Sequence, residues 1–350
     1  MYIVDNTTST NHYFVIKKLA SSSDELILIS PFCFADFHSF IDELANHGSI
    51  KSITFMTTLK PEEITDKVKS FFSFRQSIEQ YGIQGRILIN NFLHGKVYIF
   101  KSCGHSAYAL VTSANVTFNG LNRNHEWGCC FDDKNEIDNL EKNIIQTTEY
   151  ELNNKMLDEI KHRVDLCKKT DQPAKEATIH TINISDIIVS NKYGCNITPD
   201  TRIFLKPIGH TKDPVYDGDY SGESEQFFAR QPIAVRKNDV LIAYGVGSRK
   251  IIAIFRVISD THHNTGNKND RWPWYVDVEN MTPKFSRIWF DKDLYITKIA
   301  QNYVDDYDSY ITNNKGKTLG ALQWGADKIR LAYDFGMEVL FKIMSIEQKL

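Results

Sequence analysis

The spacing of its apolar runs constrains this chain more than any other feature. In the first half the runs are strand-length and alternate with helix-spaced segments. Glu25–Ser30 reads as a buried strand and Lys51–Thr57 as the next one. Between them, Phe34–His47 has helical apolar spacing, and Gly48 can end that helix. Pro61 opens a helix that runs to about Gly82, with Glu62 and Glu63 near the positive end of its dipole. Three short strands follow: Arg86–Asn90, His94–Phe100 and Ala107–Thr112. Asn135–Cys167 reads as one long, charged amphipathic helix. Strands alternating with helices predict an α/β fold, a mixed sheet sandwiched by helices.

The pattern changes after a polar, aperiodic stretch from Lys168 that contains Pro173. Short strand-like runs then appear at Thr201–Leu205, Val240–Tyr244, Ile251–Val257 and Trp274–Val278, separated by Pro, Gly and Asn turns. They predict a mostly β barrel or pseudobarrel, closed by a helix over Ala326–Ile343. The expected organisation is a first domain over 1–167, a linker over 168–178 and a second domain over 179–350.

Bulk properties exclude several classes. The longest apolar runs, such as Leu26–Ile29 and Val97–Phe100, are too short to span a bilayer, so no membrane partner is expected. The start, Met1–Asp5, lacks a basic region followed by an apolar stretch and does not read as a secretory signal. The six cysteines include no Cys-x-x-Cys pair, which argues against a zinc site and fits reduced thiols in a cytoplasm. Neither a metal nor another cofactor is expected. Net charge is −3, and neither half is basic as a whole. Nucleic-acid binding must therefore rest on local groups rather than on bulk charge.

Chemistry concentrates between His94 and Glu126. His94-Gly-Lys96 precedes an apolar strand, Thr112-Ser-Ala-Asn115 follows the next one, and Asn124-His-Glu126 comes shortly after. Phosphodiester cleavage without a metal needs a nucleophile, donors for the non-bridging oxygens, and an acid for the leaving oxygen. An imidazole at His94 can attack phosphorus. Lys96, two residues along a strand, points to the same face. Ser113 and Asn115 can complete an oxyanion cradle, and the Glu126 carboxylate can orient the imidazole.

This constellation resembles the phospholipase D superfamily, whose signature is His-x-Lys, an apolar strand, often an Asp, and Gly-Ser-x-Asn. Two positions depart from it. Lys101 stands where the Asp falls, and Thr112 replaces the Gly before the Ser. The missing Asp argues against the lipid-hydrolysing members. The run Thr112–Gly128 is similar to the restriction endonucleases of the superfamily, including the NgoFVII-type family, over roughly residues 1–165. The resemblance implies a DNA phosphodiesterase with His94 as nucleophile and Glu126 as orienting acid. It also implies a homodimer through the first domain, because superfamily members use two His-x-Lys motifs and this chain has one that fits. A second short match, His210-x-Lys212 with Asp217, sits among Pro214 and Gly218 and lacks a following Ser-x-Asn, so it reads as a loop.

The NgoFVII-type enzymes pair the nuclease with a DNA-reading pseudobarrel similar to the plant-transcription-factor B-three fold. The strands Asp239–Gly245, Ile251–Val257 and Arg271–Val278 also resemble PUA and EVE barrels. The first analogy implies readout of base edges, the second capture of a flipped, modified base. Candidate DNA contacts are Arg202, Lys206, Arg230, Arg236, Lys237, Arg249, Lys250 and Arg271. Arg249-Lys250 ranks first because it follows the flexible turn Gly245-Val-Gly247. Tyr244, Trp272, Trp274 and Trp324 can line an aromatic pocket, although barrel-core packing accounts for them more readily. The implied activity is a restriction-type endonuclease on double-stranded DNA, with a helicase or methyltransferase of the same system as a compatible partner. A modification-dependent nuclease is the alternative, and a lipid phosphodiesterase ranks below both.

Overall fold

In a computed structural model the chain is described over residues 1–8, 10–170, 182–229, 234–264, 272–319 and 327–350. It divides into two compact units, Met1–Ile184 and Ser185–Leu350.

The first unit is built on an eight-stranded sheet. In chain order it contains β1 (Tyr2–Asp5), α1 (His12–Ala20), β2 (Glu25–Ile29), α2 (His38–His47), β3 (Ser52–Thr57), α3 (Ile64–Gln80), β4 (Gln84–Ile89), β5 (Lys96–Ser102), β6 (His105–Thr112), α4 (Phe118–Asn122), β7 (Trp127–Phe131), α5 (Lys134–Ile145), β8 (Tyr150–Leu152) and α6 (Asn154–Thr170). The spatial order is β1-β7-β6-β5-β2-β3-β4-β8. Strands β2, β3 and β4 run parallel, joined by helical crossovers, while β5 returns antiparallel beside β2. Runs with nearly every residue buried, such as Leu26–Ile29, are what a sheet covered on both faces requires. On one face Phe37, Phe55, Phe71 and Phe74 interlock edge-to-face or tilted, with centroids 5.2 to 6.4 Å apart. On the other, Ile137 of α5 packs over Ile27, Ile99 and Met56.

The predicted helix over 135–167 is two helices with a strand between them. Tyr150 and Leu152 are buried and pair with Ile89 and Ile87 of β4, closing the sheet edge. The Asn153 side chain accepts from Met156 N at 2.9 Å and so starts α6 as a cap. Helical periodicity on both sides hides this three-residue strand. β1, α1 and β7 were also not predicted. α6 continues to Thr170, into the expected linker, and 171–181 lie outside the described residues.

The second unit departs further from expectation. It carries β9 (Ile203–Ile208), β10 (Ser224–Ala229), β11 (Val240–Gly245), β12 (Ile251–Val257), β13 (His262–His263), β14 (Trp274–Asn280) and β15 (Ile329–Arg330) in one sheet. Helices α7 (Ser185–Tyr193), α8 (Pro283–Ile288), α9 (Ile296–Tyr307) and α10 (Tyr333–Lys349) accompany it. It is a mixed α/β unit, and the expected barrel or pseudobarrel closure is not seen among the described residues. Among the described residues the sheet path runs from β10 to β15, and those two strands do not pair with each other. β9 and β11 are parallel. The closing helix starts at Tyr333 rather than Ala326.

Candidate active site

Strand direction explains how residues far apart in sequence meet. β5 is antiparallel to both β2 and β6, so its start lies at the ends of those two strands. Lys96 stands opposite Thr112, and Val97 opposite Ile29. β7 starts at the same edge, with Thr112 opposite Gly128. This edge is also the carboxyl end of the parallel strands, where open α/β sheets commonly bind ligands.

His94 is exposed and lies in the connection between β4 and β5, two residues before the strand begins. No side chain among the described residues hydrogen-bonds its ring. Lys96 is half-buried, and its Nζ donates to His94 O at 3.0 Å. Ser113 Oγ donates to Glu126 Oε2 at 2.5 Å and accepts from Trp127 N at 3.2 Å. Glu126 Oε1 lies 3.4 Å from Asn124 Nδ2. Asn115 Oδ1 lies 3.2 Å from Ser30 Oγ, whose proton is shared with Phe32 O at 2.6 Å. No described residue accepts from Asn115 Nδ2, which remains a donor for a ligand.

Within one chain, then, Glu126 holds Ser113, and no hydrogen bond joins it to the His94 ring. The carboxylate sits on the β6–β7 side of the edge and the imidazole on the opposite loop. Lys101, the departure from the superfamily signature, sits near the far end of β5. Its Nζ pairs with Glu141 of α5 at 2.9 Å, so its charge is spent on packing a helix and not at the site. Among the described residues no three His, Cys, Asp or Glu side chains are grouped to hold a metal ion.

Several supporting residues carried no sequence signal. Ser30 also accepts from Val116 N at 3.1 Å, and the buried Tyr98 hydroxyl donates to Ala114 O at 2.6 Å. Burial and the nearby Glu126 keep that phenol well above its usual pKa, hence neutral and able to donate. His12 lies fully buried behind the edge. Its ring nitrogens are each 2.6 Å from a partner, Nδ1 from Asn6 Oδ1 and Nε2 from Thr112 Oγ1.

Residues 9–162 match the NgoFVII restriction endonuclease N-terminal PLD domain. That match supports the phospholipase D (PLD) superfamily for the first unit. Among solved structures the chain is similar to Nuc from Salmonella typhimurium, a phospholipase D family member. Identity is 11%, covering 41% of this chain and 90% of that one, with a TM-score of 0.30. It is also similar to NucT from Helicobacter pylori, at 15% identity over 38% of this chain and 87% of that one, TM-score 0.26. A mutant yeast tyrosyl-DNA phosphodiesterase shows 13% identity over 59% and 51%, TM-score 0.27. No curated protein matches the chain by sequence.

The PLD-domain match ends at residue 162, so the candidate DNA contacts fall outside it. Among the described residues these candidates differ in their partners and exposure. Arg202 is held by the buried Asp239, with Nε donating at 3.0 Å and NH2 closer still. Lys206 is held by Asp327. Lys250 donates to Phe290 O at 2.7 Å and lies 3.5 Å from Asp293. Each of these three cations is thus engaged by an acid within its own unit. Arg236, Lys237 and Arg249 are exposed, and none makes an ion pair among the described residues. Arg249 has φ 58°, a left-handed conformation uncommon outside glycine, at the tip of the β11–β12 hairpin. Arg230, Arg271 and Trp324 lie outside the described residues. Tyr244 belongs to the core of its unit, Trp274 packs against that core, and Trp272 is exposed. His210 and Lys212 form a tight turn, Lys212 N donating to His210 Nδ1 at 3.0 Å, as a loop reading expects.

Proposed function

We propose that the first unit is a DNA phosphodiesterase of the restriction-endonuclease kind, acting on double-stranded DNA in the cytoplasm without metal. The observation that carries this reading is the convergence of His94, Lys96, Ser113, Asn115 and Glu126 at one sheet edge, in a segment that matches a PLD-type nuclease domain. His94 attacks phosphorus, forming an N–P bond while the bond to the leaving DNA oxygen breaks. Lys96 and Asn115 Nδ2 hold the non-bridging oxygens. Water then cleaves the phosphohistidine and regenerates the imidazole. Charge-directed donors of this kind are worth on the order of 10²–10³ in rate each.

The leaving oxygen needs a proton, and one chain supplies one such imidazole. A second copy related by a two-fold axis supplies the other. Ile3, Val111 and Trp127, all well exposed, stand on the same face of neighbouring strands β1, β6 and β7, beside Ser113. An exposed apolar strip next to half a site supports a dimer through this unit. The second unit is proposed to read DNA, with Arg236, Lys237 and Arg249 as its available cations.

Plasmid digestion in EDTA tests the reading. Cleavage by the wild-type chain and its loss in His94→Ala are expected. A strict need for Mg²⁺, or undiminished cleavage by His94→Ala, would overturn it. Light scattering of the active species checks the dimer, and activity from a strict monomer would exclude it.

A further inference from the structure

Two segments carry the anion-holding side of the site, Thr112–Asn115 and Asn124–Trp127. Both are tied to the same pair near the start of the chain, the half-buried Asn6 and the buried His12. The Asn6 amide nitrogen donates to Gly120 O at 2.8 Å and to Asn124 O at 3.0 Å, and its backbone N donates to Glu126 O at 3.2 Å. Its Oδ1 therefore faces His12 as an acceptor, and takes His12 N at 3.0 Å and Nδ1 at 2.6 Å. That fixes the imidazole proton on Nδ1 and turns Nε2 toward Thr112. The Thr112 hydroxyl lies 2.6 Å from Nε2, 3.0 Å from Trp127 O, and accepts from Ala114 N at 3.0 Å. Ser113 between them donates its own N–H to Trp127 O at 3.0 Å. The fit also needs Gly128, where a Cβ would lie 2.8 Å from Thr112 Cβ and 3.0 Å from His12 Nε2.

We infer that His12, acting through the Thr112 hydroxyl, is a positioning residue that sets the Thr112–Asn115 turn, and with it the Asn115 amide, for phosphate binding. The inference rests on the phosphodiester-cleaving reading above. It explains the second departure from the superfamily signature. A threonine replaces glycine at the turn, and a histidine about a hundred residues away receives its proton. Neither residue reaches the substrate, but both fix the backbone on which the donors stand. Small misplacements of such groups cost up to about 10²-fold in rate.

The two ring nitrogens can be tested separately in the full chain. Gln at position 12 keeps an acceptor where Nε2 stands, and Asn keeps a donor where Nδ1 stands. His12→Asn and Thr112→Val are expected to lower kcat for plasmid cleavage by about 10–10²-fold with KM little changed. His12→Gln and Thr112→Ser are expected to restore most of the rate. Amide exchange at Ala114 and Trp127 is expected to quicken in His12→Asn and Thr112→Val alone, a readout that needs no catalysis. Wild-type rates in His12→Asn and Thr112→Val would overturn the inference. So would equal losses in all four variants tracking thermal stability, or unaltered exchange at both amides. A wild-type chain that cleaves nothing would instead strike the phosphodiesterase reading, and the exchange data would still judge the clamp.

Discussion

The two units treat their polar candidates in opposite ways. In the first, residues from the β4–β5 connection, β5, the β6 turn and the start of β7 are brought to one edge by strand register. In the second, Arg202, Lys206 and Lys250 are each drawn away by a nearby acid, and Arg236, Lys237 and Arg249 stay exposed. Motif spacing within paired strands encodes a site, because strand pairing turns spacing into position. A solitary arginine or lysine encodes only a charge, and the nearest carboxylate decides its use. The same contrast recurs inside the site. Ser113, Asn115 and Glu126 are fastened by neighbouring hydrogen bonds, whereas the His94 ring stands exposed without one.

The strongest way to break this contrast is at His94. If convergence makes the site, His94→Ala loses cleavage by at least about 10³-fold while folding is unchanged, since an exposed side chain without bonds supports no packing. Circular dichroism and plasmid cleavage on one preparation check both halves. A large loss of stability would mean that the ring is structural after all.

In the second unit the contrast predicts a crossed result. Arg202→Ala leaves the buried Asp239 carboxylate without its main partner and should cost about 3–5 kcal/mol of stability, read by denaturant unfolding. Arg249→Ala should leave stability within about 0.5 kcal/mol, because the side chain is exposed. It should lower the salt dependence of DNA binding by about one unit in slope, as one phosphate contact does. If Arg202→Ala changed DNA affinity without changing stability, the division between tied and available cations would be wrong.

Much of the first unit was legible, and the reason is physical. β2, β3, α3, β4, β5 and β6 follow from buried runs and helical spacing, because a sheet covered on both faces needs nearly unbroken apolar strands. Ser113 and Asn115 were legible because the motif sits one turn after a strand. β8 was not, since three residues between two amphipathic helices carry no period of their own. His12 and Asn6 were not either. Their partners Thr112, Gly120, Asn124 and Glu126 lie a hundred or more residues on, and no local spacing marks such contacts. In the second unit the buried strands β11 and β12 were read correctly. Of the helices around them the closing helix α10 was anticipated, with its start placed too early, while α7, α8 and α9 were not; α7 and α8 are short, and α8 begins without a side-chain cap.

The smallest expected effect belongs to the clamp behind the site and concerns pH. Burial pushes the His12 pKa below its ordinary value, against the opposing pull of Glu126 and Asp5. The neutral ring is thus favoured in the folded chain, while the unfolded chain titrates near about 6.5. Between those two values the unfolded state holds more protons, so stability is complete above about pH 6.5 and declines as pH falls through that window. Protonation would also turn Nε2 into a donor and send the Thr112 proton to Trp127 O, 3.0 Å away. The network accommodates that exchange, which keeps the decline shallow. Thermal midpoints of the wild-type chain should drift downward as pH falls below about 6.5, and His12→Gln should flatten the drift, because an amide does not titrate. A variant profile as steep as the wild type would place the titrating group elsewhere, and the hydrogen-bonded half of the site would then owe nothing to the charge state of His12.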